Sequence, residues 1–196
     1  MLFAEWGAGL VALTRGDADE AVRVFDRLLA LCRAHDLDAY VSRSMAGLGL
    51  AKARAGQVAE GLALLEQAVT LDASAEPRLT HTLALNALAE ASFRAGELGK
   101  ALTAVSEALR HARAREERVA EAYTAGLERL VASGGDPSRV ASVASFFISR
   151  IDSLIDSLLA ERIKGATDAK ERSALESLQG KVAIANAKLT YARAQE

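Results

Sequence analysis

Gly16, Gly56 and Gly96 stand forty residues apart in a chain rich in alanine and leucine that holds only 2 prolines. A period of that length marks a chain that folds as stacked supersecondary units rather than around one central core. The segments around these glycines superimpose: GLVALTRGDADEAVRVFDRLL, GLGLAKARAGQVAEGLALLEQAV and ALAEASFRAGELGKALTAVSEAL. Small residues recur seven positions before each glycine (Gly9, Gly49, Ala89) and five after it (Ala21, Gly61, Ala101). Side chains this small are needed where two helices approach closely. Nine positions after the glycine come Phe25, Leu65 and Val105, and twelve after come Leu28, Ala68 and Ala108, all expected in the core. Apolar spacing on either side is helical, and the glycine suits the left-handed residue that ends a helix. Three helix hairpins are predicted, with longer helices or linkers where extra residues fall between them, in AHDLDAY and LDASAEPRL.

The small, small, aromatic, small order around a turn glycine resembles the tetratricopeptide repeat over residues 1–118. It lacks that family's usual proline after the second helix and has a longer period. AGQVAEGLALLEQAV is similar to the long-period repeats of large bacterial ATPase-linked regulators and cyclases. The resemblance implies an all-α, right-handed helical-hairpin solenoid that binds a protein or peptide on the concave face formed by the first helix of each pair. That face would carry Phe3, Trp6 and Leu10, then Arg43 and Arg54, then Asn86, Glu90 and Arg94. The peptide-groove candidates among them are Trp6, Arg43, Asn86, Glu90 and Arg94. Phe3 and Trp6 have no preceding repeat to cover them, so they face solvent, cap locally, or mark where a longer parent was cut.

Charge and composition exclude several classes. With 24 basic against 26 acidic residues, nothing attracts a nucleic acid or an anionic membrane. The start, MLFAEWGAGLVALTRGD, carries Glu5 and no basic leader, so neither a signal peptide nor a membrane span is expected and a cytoplasmic location follows. Cys32, the single cysteine, is expected to pack as a small apolar side chain. His35, His81 and His111 stand far apart in sequence without ligand spacing, so no metal site is expected.

From Glu121 the text changes character, with VASVASFFISRID and later GKVAIANAKL. These residues resemble transaldolase, in the form also found fused to glucose-6-phosphate isomerase, from about Val119 to the C-terminus. The resemblance implies a fragment of an eight-stranded α/β barrel, residues 119–196, whose family moves a three-carbon unit between sugar phosphates through a lysine Schiff base without a cofactor. It places Ser145 at the strand serine of the substrate pocket and Arg150 at the arginine that holds the sugar phosphate. The family's Schiff-base lysine and acid–base carboxylates lie upstream of the matched part, where this chain has helical repeats. Its own Lys52, Lys100, Lys164, Lys170, Lys181 and Lys188 stand in polar or amphipathic surroundings. No catalytic residue is therefore assigned.

The resemblance makes a single strand of about 141–149, but the residues themselves favour a helix. Val140, Val143, Phe147, Ile151, Leu154 and Leu158 keep helical spacing, Asp136 can cap the first turn, and Pro137 suits the first helical position. A strand paired with another copy is the alternative. A second helix is expected from Asp168, with Glu171 at capping-box spacing, through Leu175, Leu178, Val182, Ala185 and Leu189, and another spans Arg115 to Ser133, closed by Gly134 and Gly135. The expected function is a protein-interaction module with a catalytically incomplete transaldolase remnant. The alternatives are a transaldolase completed by a partner chain's strands and lysine, and a chimeric product with no selected ligand. Sugar phosphate at Ser145 and Arg150 is a weaker partner expectation, and oligomeric state is left open.

Overall fold

The structure, a computed structural model, describes residues 2–73, 79–140, 143, 160–165, 168–169, 171–177 and 179. The chain divides into two compact units, Met1–Ala144 and Ser145–Glu196. Among the described residues every regular element is helical. The first unit runs α1 (Leu2–Thr14), α2 (Ala18–Ala34), α3 (Asp38–Arg54), α4 (Val58–Ala73), α5 (Leu79–Arg94), α6 (Leu98–Ala114) and α7 (Arg118–Ala132), followed by a 3-10 turn at Pro137–Arg139.

One turn design recurs between these helices. Gly16, Gly56 and Gly96 sit at φ +79°, +88° and +78°, and a side chain at each would meet open space, so backbone conformation alone selects glycine there. The amide after each glycine donates to a carbonyl five residues back: Asp17 to Ala12 at 3.0 Å, Gln57 to Lys52 at 2.8 Å and Glu97 to Ser92 at 2.9 Å. This is the Schellman closure, which satisfies carbonyls that a helix end would otherwise leave open. Asp17 also caps α2, its carboxylate accepting the Glu20 amide at 3.0 Å.

The turns between α2 and α3 and between α6 and α7 have the same bonding, from Leu37 to Cys32 and from Glu117 to Ala112, yet put Asp36 and Glu116 at positive φ. AHDLDAY therefore holds no linker. Its residues lengthen α2 and α3 to 17 residues each, one of the two outcomes the sequence left open. Within LDASAEPRL, residues 74–78 lie outside the described residues.

Close helix approach at the small positions has a steric cause. A Cβ on Gly9 would come 2.5 Å from the Phe25 ring, and one on Gly47 would come 2.6 Å from it. Phe25 thus fills a slot between α1 and α3. In the next hairpin, Gly49 faces Leu65 and the Gly61 carbonyl, and a Cβ on Gly61 would meet the Gly49 carbonyl at 2.5 Å. The small and core residues named from the repeat register are all buried. Full burial of a side chain such as Phe25 is worth about 2 kcal/mol, so the register itself carries much of the fold.

Each helix packs on the next in sequence, and α1, α3, α5 and α7 also contact one another in succession. The odd-numbered helices therefore form a continuous inner layer, and the hairpins stack as a helical solenoid. The last inner helix, α7, starts at Arg118, where the transaldolase-like span is expected from the sequence to begin, yet it belongs to the first compact unit. It buries Leu127, Leu130 and Val131, as its spacing predicts. Asp136 caps as expected, accepting from the Ser138 amide at 2.8 Å and the Ser138 hydroxyl at 2.6 Å, but it opens a 3-10 turn. In the second unit, residues 160–165 and 171–177 are helical. Asp168 accepts the Glu171 amide at 3.3 Å, while the Glu171 carboxylate turns to Arg162 at 2.9 Å instead of closing a reciprocal box. Leu178, Val182, Ala185 and Leu189 lie outside the described residues.

Candidate functional site

The inner layer encloses a cavity of about 220 Å³. α1 contributes Trp6 and Leu10, α3 contributes Arg43 and Leu50, α5 contributes Leu83, Asn86 and Glu90, and α7 contributes Tyr123. Four of the five groove candidates, Trp6, Arg43, Asn86 and Glu90, thus line one cavity. The fifth, Arg94, stands behind it and reaches Glu90. Leu10 and Leu83 stay exposed at the rim, a small apolar surface that a bound segment would cover.

Glu90 is only 1 % exposed and organises the floor. Arg54 grips it in a two-point pair, Nε to Oε1 and a terminal nitrogen to Oε2, both at 2.8 Å, and Arg94 Nε donates to Oε1 at 3.0 Å. Arg54 also donates to the Leu13 carbonyl at 3.0 Å, so one guanidinium ties α1, α3 and α5 together. Burial works against the charge of Arg54, but the bonded Glu90 carboxylate outweighs it and holds the guanidinium above its ordinary range. Burial also pushes the Tyr123 phenol upward, reinforced by Glu90, so Tyr123 is a neutral hydrogen-bonding group at physiological pH. A second tie joins α7 to α5: the Thr124 hydroxyl, 3.0 Å from Asn86 Oδ1 and 2.6 Å from the Ala120 carbonyl.

Against that satisfied floor, three residues that line the cavity hold unpaired donors shielded from solvent. Trp6 Nε1, Arg43 Nε and Asn86 Nδ2 are buried and have no hydrogen-bond partner among the described residues. All three are N–H groups, so a ligand that reached them after a small side-chain shift would have to offer acceptor oxygens. The Arg43 guanidinium lies 5.1 Å from the Trp6 ring centre and 5.9 Å from that of Tyr40, a cation–π arrangement that holds it across the groove mouth. Trp6 is thereby covered locally by Arg43, while the Phe3 side chain lies outside the described residues. Cys32 is fully buried, 3.7 Å from the Ser44 hydroxyl, as expected of a small core side chain.

No family model matches the chain. Curated relatives match part of it. A transaldolase of Trichodesmium erythraeum is 56 % identical over 70 residues, 36 % of this chain and 18 % of the relative. One of Saccharopolyspora erythraea is 48 % identical over 82 residues, 42 % of this chain and 20 % of the relative. Transaldolase 2 of Nostoc punctiforme is 55 % identical over 71 residues, 36 % and 19 % of the two chains. The chain spans about a fifth of the length of the curated relatives it matches. A stretch of this chain of 70 to 82 residues is thus similar to part of transaldolase.

Ser145 and Arg150, the positions that the resemblance gives to substrate phosphate, lie outside the described residues, as does most of 141–149, of which Val143 is helical. Tyr123 and Thr124 are what sequence reasoning missed in the groove. Nothing local in the sequence shows that α7 becomes the fourth wall. Among the described residues no helix is long and apolar enough to cross a membrane.

Proposed function

We propose that the first compact unit is a peptide-binding module of the tetratricopeptide type, and that the transaldolase-like segment is a catalytically incomplete remnant. The carrying observation is the inner cavity: an apolar slot of about 220 Å³ whose lining residues hold three buried N–H donors without partners among the described residues. An extended peptide supplies both things this site lacks, an apolar side chain for the slot and backbone carbonyls for the donors. Arg43 adds a cation at the mouth, favouring a carboxylate or carbonyl cluster there. Glu90, Arg54 and Arg94 neutralise one another largely below the surface, so their role is to hold the walls in place. A cytoplasmic partner segment is the expected ligand.

Trp6 is the only tryptophan and lines the cavity, so its fluorescence reports occupancy. Titration of the full chain with a peptide library is expected to yield saturable shifts in Trp6 emission. Arg43→Ala and Asn86→Ala should each weaken the selected peptides about tenfold, near 1.4 kcal/mol. Peptides that bind both variants as they bind the parent would show that the groove is not the site.

The second reading is a transaldolase assembled with a partner chain, favoured by the 48–56 % identity to the three enzymes named above. The chain spans about a fifth of those enzymes, so the remaining strands and the nucleophilic lysine would come from elsewhere. Borohydride reduction in the presence of fructose 6-phosphate traps a Schiff base on lysine. No adduct is expected on this chain by itself; a stoichiometric one would favour the enzyme reading.

A further inference from the structure

The α5–α6 hairpin brings together residues that the sequence keeps apart. Because the helices run antiparallel, His81 in the first turn or so of α5 meets His111 in the last turn of α6. Their ring centres are 4.7 Å apart at 74°. Glu107 lies one turn before His111 on the same helix, its Oε1 4.0 Å from His111 Nε2. One donor atom from each of the three residues lies within 4.8 Å of the other two. His81 is 4 % exposed, and its Nδ1 is buried with no hydrogen-bond partner among the described residues. An imidazole nitrogen that has lost water and gained nothing in exchange calls for a ligand.

We propose that His81, Glu107 and His111 form a binding site for a divalent transition cation, with zinc the best match to the donor set. Two imidazoles and one carboxylate are borderline donors that suit zinc, whereas magnesium and calcium favour shells of oxygen alone. Ligand atoms on a zinc ion with bonds of about 2.0–2.1 Å stand about 3.3 Å apart, so the three groups must close by up to about 1.5 Å. The partners are placed to do this: His81 is anchored in the core, while Glu107 is 43 % exposed and its Oε1 is held by the largely exposed Arg110 at 3.4 Å, a contact it gives up on changing rotamer. Three protein ligands leave a fourth position open to water or another donor. Arg110 opposes the cation, its guanidinium 3.4 Å from His111 Nε2, but it is largely exposed and can swing into solvent. A bound ion would clamp the start of α5 to the end of α6.

The test is calorimetric titration of the full chain with zinc ion alone, after removal of any affinity tag and chelator dialysis. One equivalent is expected to bind and to raise the thermal midpoint. His111→Ala and Glu107→Gln should each weaken binding by about tenfold or more and abolish that rise, Arg110→Ala should tighten binding several-fold, and His35→Ala should change nothing. Both ligand substitutions fall on the surface side of the cluster, so circular dichroism of the metal-free variants should match the parent. Failure to saturate at one equivalent, or the same dissociation constant in His111→Ala as in the parent, overturns the proposal. So does displacement of the zinc by millimolar magnesium.

Discussion

At the scale of single residues, two kinds of glycine do different work, and substitution separates them. At Gly56 the backbone is left-handed with free space around it, so Gly56→Ala should cost about 1 kcal/mol in urea denaturation through conformational strain. Glu116 holds the equivalent turn position at φ 56° without that freedom, and Glu116→Gly should stabilise by about 0.5–1 kcal/mol. Gly9 is steric: its added methyl would run into the Phe25 ring, and Gly9→Ala should destabilise by about 1–3 kcal/mol. The turn role was legible in the sequence because it repeats at a fixed period. The identity of what each small residue touches was not, because Phe25 meets Gly9 and Gly47 from a different helix. His111 belongs at this scale too. Burial, then His81 and Arg110, hold its imidazolium below the ordinary 6.5, although Glu107 pulls the other way. The unfolded chain therefore takes up a proton before the folded one does. Stability present above pH 6.5 is lost as the pH falls through and below that value, and His111→Gln should flatten that part of a urea-midpoint profile of the metal-free protein.

At the scale of helices, the polar floor decides how the inner layer is held. In the sequence, Arg54, Glu90 and Arg94 all fall on the expected concave face, with Glu90 and Arg94 as groove candidates. In the structure they are one buried cluster in which Glu90 accepts from both cations and Arg54 reaches back to α1. Removing the acid leaves two mostly buried guanidinium groups without a counter-charge. Glu90→Ala should thus cost about 3 kcal/mol or more, read as a shift of the denaturation midpoint, a larger loss than either Arg43→Ala or Asn86→Ala, which break no pairing of this kind. The helices themselves were readable because an amphipathic pattern is local. Which polar residue would be consumed by the fold and which left facing the cavity depended on the angle at which one hairpin stacks on the next, and no spacing encodes that angle.

At the scale of the whole molecule, the change in sequence resemblance and the edge of the compact unit fall in different places. From the sequence, the transaldolase-like span is expected to start near Val119, at the start of α7, while the compact unit extends to Ala144. α7 supplies Tyr123 to the groove, the Thr124 tie to Asn86, and the buried Leu127 and Val131. A chain ending at Ala144 should keep a cooperative thermal transition and peptide binding. One ending at Ala114 should melt markedly earlier and lose affinity, as circular dichroism and Trp6 fluorescence would record. By itself the amino-acid order determined the repeat, the turn glycines, the buried register and the odd-helix inner face, since these follow from steric and periodic constraints within one or two helices. Tertiary structure alone decided that three donors would be left unpaired, that Tyr123 would wall the groove, and that His81 would meet His111. Each of those depends on residues from separate helices converging, and convergence is set by packing distance and stacking angle.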